Sequence, residues 1–439
     1  MAQTGETEGR DRHPAGLPGL LDELRWRGML HQYTHGLEAR LATGEPIKGY
    51  NGFDPTAPTL HIGSLVPIFG MIHLQRAGGS PVILVGGGTA MIGDPSGRTA
   101  ERLLLSRPVV EENIVGIQAQ LSRFLDFDGP NGAEIVDNYE WLSSYSLIRF
   151  LRDIGKHLTV NYMLDKDSVQ IRLQNGLSFT EFSYMLLQAA DFLHLYRVGH
   201  VEMQMGGADQ WGNITAGLEL IRKEFGAGES QDLAFGLSYP LLTNESGAKY
   251  GKTAAGTSVW LDPNRTSPFQ FYQYWLDADD RDIGKYLRTF TLLSRSRIEE
   301  LEAAVAAQPE AREAQRAMAF DITERVHGGD EARKAVRVSA AAFSKEPIRD
   351  PEILEELFKN IDHFEFTSED VAAGALRVAV VSGQYASNGE ARRAIQQGGL
   401  SLNDERVAAP EATVPELISG RYLVLRAGKK NLRIGKLKR

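Results

Sequence analysis

Short apolar runs alternate with segments of helical spacing between about residues 47 and 226, a pattern typical of a parallel sheet covered by helices. The run PVILVGG, which starts at Pro81, predicts the clearest buried strand. Residues 65–74 and 182–195 predict helices, and 201–205 predict a short strand that ends at two glycines. We therefore expect an α/β fold, with a Rossmann-like parallel-sheet domain over residues 20–265.

The pattern changes after this domain. Strand signals disappear, and segments such as RIEELEAAVAAQ predict a helical domain over 266–343. The charged, proline-containing stretch 344–370 predicts a linker with one short helix. Residues 371–439 predict a small α+β domain, in which NGEARRAIQQGG forms a capped helix, LSLNDERV contains an Asn-Asp turn and a hairpin surrounds Gly428.

Composition limits the class of protein. With 439 residues, 42% of them apolar, the chain can bury the cores of two or three domains. Residues 1–19 are polar and lack the apolar segment of a secretory signal, so we expect a disordered tail. No apolar run is long enough to cross a bilayer, and we expect no membrane partner. The absence of cysteine excludes disulfides, thiolate zinc sites and cysteine nucleophiles, and it fits a cytoplasmic enzyme.

The charge is unevenly distributed. A formal net charge of -9 argues against a protein coated with nucleic acid. Residues 417–439 nevertheless contain eight Lys or Arg and no acid: Arg421, Arg426, Lys429, Lys430, Arg433, Lys436, Lys438 and Arg439. This basic end predicts a local contact with RNA.

A first candidate site is YNGFDPT, which begins at Tyr50, followed by LHIGS. The segment connects a strand to a helix that begins near Ser64. A helix N-terminus offers unpaired N–H groups, Gly63 allows close approach of a ligand and His61 can donate to a phosphate. The alternative, an ordinary capped connection, is favoured by this segment alone.

A second candidate is the helix TEFSYMLLQAADFLHLYR, in which Tyr184, Gln188 and Asp191 share a narrow stripe. Such a stripe is usually a solvated face. Its apolar surroundings here favour the lining of a cavity.

Two loops complete the set. In QMGGADQW, Asp209 could hold ribose hydroxyls and Gln210 a carboxylate, although a helix cap by Asp209 is about as compatible with the pattern. In KYGKT, Lys249 and Lys252 could close over a triphosphate, although surface lysine pairs are usually only solvated.

Together, the motifs resemble one family. HIGS and KYGKT resemble the HIGH and KMSKS signatures of class I aminoacyl-tRNA synthetases. The order YNGFDPTAPTLHIGS, GDPSGR, EFSYMLLQAADF, GGADQWGNI and KYGKT is similar to that of the bacterial tyrosyl members. The segment SNGEARRAIQQGGLSLN resembles a small RNA-binding domain shared with a small-subunit ribosomal protein and pseudouridine synthases. The chain departs from the family's usual residues at Asn51, Ser64 and Arg98.

The resemblance implies that the chain activates L-tyrosine with ATP and transfers the tyrosyl group to the 3′ end of tRNA(Tyr). It assigns Tyr50 and Asp191 to the phenolic hydroxyl. The other implied contacts are Asp94, Tyr184 and Gln188 for the ammonium; Gln210 for the carboxylate; Asn51, Gly52, Asp54, Gly207 and Asp209 for the adenosine part; and Thr56, His61, Ser64, Lys249, Lys252 and Thr253 for the phosphates.

The resemblance also implies that 266–343 binds the anticodon and that the protein is a homodimer. We expect Mg²⁺ to accompany ATP, and the sequence shows no dedicated carboxylate site for it. For RNA binding in the last domain, we expect Arg392, Arg393, Lys429 and Lys430 to contribute. The alternatives are a tryptophanyl-type synthetase, a small-molecule adenylyltransferase and a non-catalytic RNA-binding protein.

Overall fold

A computed structural model describes residues 16–96, 104–226, 233–241, 257–344, 346–428 and 431–438. Its chain divides into two compact units. The first combines Met1–Arg265 with Leu276–Val326, and the second combines Thr266–Trp275 with His327–Arg439. None of the helices in the described ranges is long and apolar enough to span a membrane.

The first unit contains a six-stranded sheet in the order β1-β6-β5-β2-β3-β4. All neighbouring strands are parallel except β1 and β6, which confirms the predicted parallel sheet. The strands are β1 (Gln32–Tyr33), β2 (Lys48–Phe53), β3 (Ser80–Val85), β4 (Glu134–Asp137), β5 (Val201–Gly207) and β6 (Phe235–Tyr239).

The strand order reverses between β2 and β5. The chain runs from β2 outward to β3 and β4, then returns to the other side of β2 with β5 and β6. In open parallel sheets, ligands bind at the carboxyl ends of the strands beside such a reversal. The sheet therefore predicts a site between the ends of β2 and β5.

Ten helices of the first unit precede residue 266 in the described ranges, and they cover this sheet. Predicted helices 65–74 and 182–195 are confirmed within α3 and α9. The ten are α1 (Leu20–Trp26), α2 (Leu37–Ala42), α3 (Leu65–Arg76), α4 (Arg107–Leu121), α5 (Tyr139–Leu142), α6 (Leu147–Asp153), α7 (Val160–Leu164), α8 (Asp167–Leu173), α9 (Phe179–Gly199) and α10 (Trp211–Phe225).

The long helix α9 has clear signals at both ends. The side chain of Ser178 accepts a hydrogen bond from the backbone N–H of Glu181 at 3.2 Å, which caps the first turn. At the other end, His200 adopts a left-handed conformation with φ 54°, and it stops the helix just before β5.

Residues 266–343, all of them described, contain helices and no strand, as predicted. The helices are α11 (Pro268–Leu276), α12 (Ile283–Phe290), α13 (Arg295–Ala307), α14 (Glu313–His327) and α15 (Gly329–Phe343). The division into compact units does not follow the predicted boundaries 266 and 343, because α12 and α13 belong to the first unit and α15 to the second.

The second unit contains a five-stranded sheet in the order β7-β11-β10-β8-β9. The predicted hairpin around Gly428 is confirmed by the antiparallel pair β10 and β11. The remaining elements are α16 (Pro351–Asn360), β7 (His363–Phe366), α17 (Ser368–Ala372), α18 (Ala375–Val381), α19 (Asn388–Gln396), β8 (Leu400–Leu402), β9 (Glu405–Arg406), β10 (Tyr422–Ala427) and β11 (Asn431–Leu437).

The described part of 344–370 is more structured than the predicted linker. It contains α16, whose buried Leu354 and Leu357 pack in one cluster with Val424 and Ile434. It also contains β7, which pairs in parallel with β11. The segment is thus part of the second unit's core, and its charged residues do not indicate a free connection.

The predicted disordered tail, residues 1–19, lies mostly outside the described residues. At its end, Leu17–Gly19 form one turn of 3₁₀ helix with Leu17 buried. The folded chain therefore begins a few residues earlier than the composition predicts.

Candidate active site

The candidate tyrosine and ATP residues that the structure describes cluster around the carboxyl ends of the first sheet. Tyr50 and Asn51 lie on β2, and Asp54 directly follows it. Gly207 ends β5, with Asp209 and Gln210 in the next turn. The stripe Tyr184, Gln188 and Asp191 lies on α9. Sequence positions far apart thus converge on the reversal point between β2 and β5.

Asp191 is buried, with 1% of its surface exposed. One carboxylate oxygen accepts a hydrogen bond from Asn138 Nδ2 at 2.9 Å, and the other from Trp141 Nε1 at 2.8 Å. Burial raises the pKa of Asp191 well above its ordinary value, and these two donors oppose that rise. The carboxyl is held in a fixed orientation by two donors from one short segment.

Tyr50 packs beside this carboxyl. Its ring lies 5.3 Å from the ring of Phe192, and burial, with the nearby Asp191 charge as a second cause, raises its pKa well above the ordinary value. Its hydroxyl is buried and has no hydrogen-bond partner among the described residues. Buried hydroxyl groups without a partner are rare, so the Tyr50 hydroxyl is a candidate partner for a polar group of a ligand.

A polar network connects the α9 stripe to β2. Tyr184 donates its O–H to Asp54 Oδ2 at 2.9 Å, and Thr89 donates to Asp54 Oδ1 at 2.8 Å. Asn138 reaches Thr89 at 3.0 Å and also donates to Asp191. A side chain at Gly86 would collide with Asp54, since a Cβ there would lie 2.0 Å from Oδ1. The network therefore requires glycine after β3.

Asp94 and Gln210 form a second pair. Gln210 donates to Asp94 Oδ2 at 2.7 Å, and the backbone N–H of Ser96 donates to Oδ1 at 2.9 Å. Asn213 in turn donates to Gln210 Oε1 at 3.1 Å. On α9, Gln188 Oε1 is buried without a partner among the described residues. These groups supply acceptors suited to an ammonium group.

The phosphate candidates are partly described. His61 precedes the turn Ile62–Ser64 that leads into α3, and its Nδ1 accepts a hydrogen bond from the backbone N–H of Gly63 at 3.0 Å. This bond places the proton of the neutral imidazole on Nε2, which makes Nε2 a donor. Thr56 is exposed and Ser64 half-buried. Lys249, Lys252 and Thr253 lie outside the described residues, as does Arg98.

The adenosine candidates lie at the strand ends. Asn51 is buried, with Oδ1 unpartnered among the described residues, and Gly52 beside it is exposed. Asp209 folds back over Gly207, where an added Cβ would lie 2.5 Å from Asp209 Oδ1. The described residues contain no group of three or more potential metal ligands.

The basic end of the second unit is largely paired. Four of its five described cations contact an acid: Arg426 with Asp404 at 3.1 Å, Arg433 with Asp362 at 3.3 Å, Lys436 with Glu355 at 2.8 Å and Lys438 with Glu365 at 3.5 Å. Lys429 and Lys430 lie outside the described residues. Most of the described positive charge of residues 417–439 is therefore neutralised by neighbouring acids.

The two arginines of α19 are more weakly paired with acids than the cations of this basic end. Both are exposed; Arg392 lies 3.8 Å from Glu411, and Arg393 has no ion pair among the described residues.

Sequence reasoning missed four polar residues of the site: Thr89, Asn138, Trp141 and Asn213. Asn138 and Trp141 follow β4, so their position at a strand's carboxyl end was an available signal. Nothing in the local sequence, however, connects them to Asp191 on α9.

Comparisons with known proteins identify the family of this chain. Residues 42–344 match the family described as tRNA synthetases class I (W and Y), and 353–434 match the tyrosine–tRNA ligase SYY-like C-terminal domain. The chain is 47% identical over 427 residues to a tyrosine–tRNA ligase of Anaeromyxobacter dehalogenans, covering 96% of this chain and 100% of that protein. It is 48% identical over 418 residues to that of Bacillus caldotenax, covering 94% and 98%.

A solved structure is also similar. The C-terminally truncated mitochondrial tyrosyl-tRNA synthetase of Aspergillus nidulans matches with a TM-score of 0.64 at 27% identity, covering 74% of this chain and 94% of that one. A family match over more than half of the chain and near-complete alignment with the curated relatives agree with each other. The chain therefore belongs to the class I tRNA synthetases and, within them, to the tyrosine–tRNA ligase family.

Proposed function

We propose that this protein is a tyrosine–tRNA ligase, which activates L-tyrosine with ATP to tyrosyl-adenylate and pyrophosphate and then transfers the tyrosyl group to the 3′ end of tRNA(Tyr). The observation that carries the proposal is the pairing of Asp191 and Tyr50. A buried, doubly hydrogen-bonded carboxyl lies near a buried hydroxyl that has no partner among the described residues. A phenol contains both the donor and the acceptor that such a pair requires.

In this proposal, the phenolic hydroxyl of tyrosine donates to Asp191 and accepts from Tyr50. Phenylalanine would bury the Tyr50 hydroxyl without a partner, which costs about 1 to 3 kcal/mol, and it would not add a third donor to those that Asn138 and Trp141 give Asp191. An indole offers a donor but no acceptor, so tryptophan would leave the Tyr50 hydroxyl unsatisfied. The pair thus favours tyrosine over both competitors.

The amino-acid end of the substrate would bind at the other end of the α9 stripe. Gln188 Oε1 is the buried acceptor available for the ammonium. Tyr184 lies one helical turn away on α9, and Asp94 lies near Tyr184. Gln210 is held against Asp94 by its hydrogen bond and would lie near the substrate carboxylate. The substrate would then span from Asp191 to Gln210.

Activation is an in-line attack of the tyrosine carboxylate on the α-phosphate of ATP. The reaction needs no nucleophilic side chain, so positioning and charge stabilisation supply the catalysis. Asn51, Gly52, Asp54, Gly207 and Asp209 would hold the adenosine part, and Thr56, His61 and Ser64 the phosphates. Mg²⁺ would enter with the ATP phosphates, which supply ligands to the ion in nucleotide sites.

The decisive experiment is amino-acid-dependent exchange of pyrophosphate into ATP, measured with each standard amino acid. Exchange supported by tyrosine alone is expected. Exchange supported by tryptophan, or none with any amino acid, would contradict the proposal.

Lys249, Lys252 and Thr253 are assigned to the phosphates by family resemblance. We expect Lys252→Ala to slow tyrosyl-adenylate formation by about 100-fold, the usual effect of losing one donor to a developing charge, with little change in the Kd for tyrosine. Single-turnover formation of the adenylate and equilibrium dialysis of tyrosine would separate the two effects. A parallel loss of tyrosine binding would assign Lys252 a structural role.

For the tRNA, we propose that 266–343 binds the anticodon region and that the second unit contributes Arg392, Arg393, Lys429 and Lys430. The two arginines support this because they lie together on α19 and are exposed.

We also propose that the protein is a homodimer. Seven large apolar side chains of the first unit remain exposed within one stretch, residues 147–179, and two of them, Ile148 and Phe179, are 75% and 73% exposed. The others are Leu147, Leu151, Val160, Ile171 and Leu173. The seven lie on four consecutive helices, α6 to α9, and exposed apolar side chains that form one patch are typical of a protein interface. The family resemblance favours a second copy of the chain as the partner and the cytoplasm as the location.

A further inference from the structure

The helix that presents Trp141 to Asp191 is very short. Helix α5 has four residues, and a helix of this length has no stability of its own in water. Its position must therefore come from tertiary contacts. Two of these are the hydrogen bonds from Asn138 and Trp141 to Asp191.

A third contact holds the other side of the indole. The imidazole ring of His194 stacks on the ring of Trp141, with centroids 4.3 Å apart and an interplanar angle of 11°. Nothing in the proposed reaction uses His194. Because Asp191 and His194 are three residues apart on α9, they lie on the same face of that helix. One helix face thus carries both the acceptor and the ring that positions its donor.

The stacked imidazole restricts tilting of the Trp141 indole, and such tilting would misalign its hydrogen bond to Asp191. A bond of 2.8 Å from Nε1 to Asp191 requires the indole plane to stay in line with the carboxylate oxygen. A flat ring parallel to the indole limits tilting out of that plane. Burial and the nearby Arg197 lower the pKa of His194, while Glu140 opposes them, so the imidazole is neutral at neutral pH.

We propose that His194 is a positioning residue for tyrosine recognition, whose ring stacks on Trp141 and keeps its Nε1–H directed at Asp191, the group that distinguishes tyrosine from phenylalanine. This inference rests on the proposed assignment of Asp191 to the phenolic hydroxyl. His194 would thus contribute to the discrimination between tyrosine and phenylalanine without contacting the substrate.

The test compares His194→Ala, which removes the ring, with His194→Phe, which keeps a flat ring and removes the nitrogens. Val198→Ala is the matched control, since Val198 lies on the same helix and is 68% exposed. Pyrophosphate exchange would give kcat and KM for tyrosine, phenylalanine and ATP in each full-length protein.

For His194→Ala, we expect the ratio of kcat/KM for tyrosine to that for phenylalanine to fall about fivefold, the usual contribution of one aromatic pair. The fall should come from a higher KM for tyrosine, with the KM for ATP unchanged. His194→Phe should restore the ratio to within about twofold of the wild type, and Val198→Ala should not change it. A residue that only fills space would change the amount of active enzyme rather than this ratio.

Two results would overturn the inference: an unchanged ratio in His194→Ala, or an equal fall in His194→Ala and His194→Phe. Asp191→Ala measured in the same assay distinguishes a failure of the underlying assignment. If the ratio is unchanged in Asp191→Ala, the phenol does not bind at Asp191. If it falls there and not in His194→Ala, only the role of His194 is excluded.

Discussion

At the scale of single residues, a substitution of Tyr50 should change the discrimination between tyrosine and phenylalanine without lowering the free energy of unfolding. Its hydroxyl is buried without a partner among the described residues, so Tyr50→Phe should leave the free energy of unfolding unchanged or slightly raised. Discrimination between tyrosine and phenylalanine should nevertheless fall about tenfold, because the substrate hydroxyl loses one partner. The measurements are urea denaturation and the ratio of the two kcat/KM values in pyrophosphate exchange. An unchanged ratio would place the phenol elsewhere.

Asp191 should behave differently. Asp191→Ala leaves the donors of Asn138 and Trp141 unpaired in a buried site, and it should lower the free energy of unfolding by roughly 2 to 4 kcal/mol as well as lower discrimination. Urea denaturation of the purified variant measures the first effect. A variant as stable as the wild type would show that solvent reaches these donors.

The residues of the site differ in how far sequence could predict them. The spacing of Tyr184, Gln188 and Asp191 on one helix follows from 3.6 residues per turn, and their apolar surroundings indicate burial. The roles of Asn138 and Trp141 could not be predicted, because they depend on a hydrogen bond to a residue 50 or more positions away. His194 is hidden for the same reason, since only the fold stacks it on Trp141.

At the scale of elements, the first helix is anchored by an ion-pair cluster. The Glu23 carboxylate accepts from Arg27 at 2.6 Å and from Arg295 at 2.6 Å, and Arg27 also donates to the backbone carbonyls of Arg288 and Thr291. Burial alone would raise the pKa of Glu23, but the two arginines outweigh it and lower the pKa to about 2. The cluster joins α1 to α12 and α13 within the first unit.

A depressed carboxyl pKa stabilises the folded state above the unfolded pKa and loses that effect as the pH falls through the folded pKa. For Glu23 this window runs from the ordinary value of 4.5 down to about 2. Glu23→Gln should therefore lower the free energy of unfolding by up to about 3 kcal/mol at pH 7, and the difference should shrink across that window.

Urea denaturation of both proteins at a series of pH values measures this difference. Asp22→Asn is the control, because Asp22 pairs only with the exposed Arg25 among its described contacts. A difference that stays constant from pH 7 to pH 2 would exclude the ion pairs as its cause.

The elements of the second unit show which secondary structure the sequence pattern could predict and which it could not. The hairpin of β10 and β11 was predictable because its strands are adjacent in sequence and its turn contains glycine. Strand β7 was not, since its four residues HFEF pair with β11 about 70 positions later. Helix α16 was predicted as part of a linker because its exposed residues are charged, whereas its stability comes from Leu354 and Leu357.

At the scale of the whole molecule, the exposed apolar side chains between residues 147 and 179 predict the oligomeric state. We expect Ile148→Asp and Phe179→Asp each to shift a dimer toward monomer in sedimentation equilibrium, since a buried charge without a partner is strongly unfavourable at an interface. Val115→Asp is the control, because Val115 is also exposed, at 67%, but lies on α4. A mass that does not change in either variant would show that this surface is not the interface.

The proposed tRNA-binding role of the second unit is better tested by substitution than by truncation. A deletion that begins near residue 376 would remove β11 and leave β7 without its partner, which would expose Phe364 and Phe366. A deletion that begins near residue 346 would remove Leu354 and Leu357 and expose Val338 of the same cluster. Loss of tRNA charging in either protein could reflect unfolding.

Arg392→Ala/Arg393→Ala changes only exposed side chains of α19, so the fold should remain intact. We expect tyrosine-dependent pyrophosphate exchange to be unchanged and the KM for tRNA in charging to rise. If both arginines contact phosphates, the plot of log affinity against log salt concentration should become shallower by roughly 1.5 to 2. The control Arg25→Ala/Arg222→Ala removes the same charge from exposed positions of the first unit. It should leave that slope unchanged, because these two arginines are not proposed to contact the tRNA. If long-range attraction alone held the tRNA, both double variants would change the slope equally. An identical tRNA affinity and slope in the α19 variant would show that the RNA is held by other residues, and Lys429 and Lys430 would be the next to substitute.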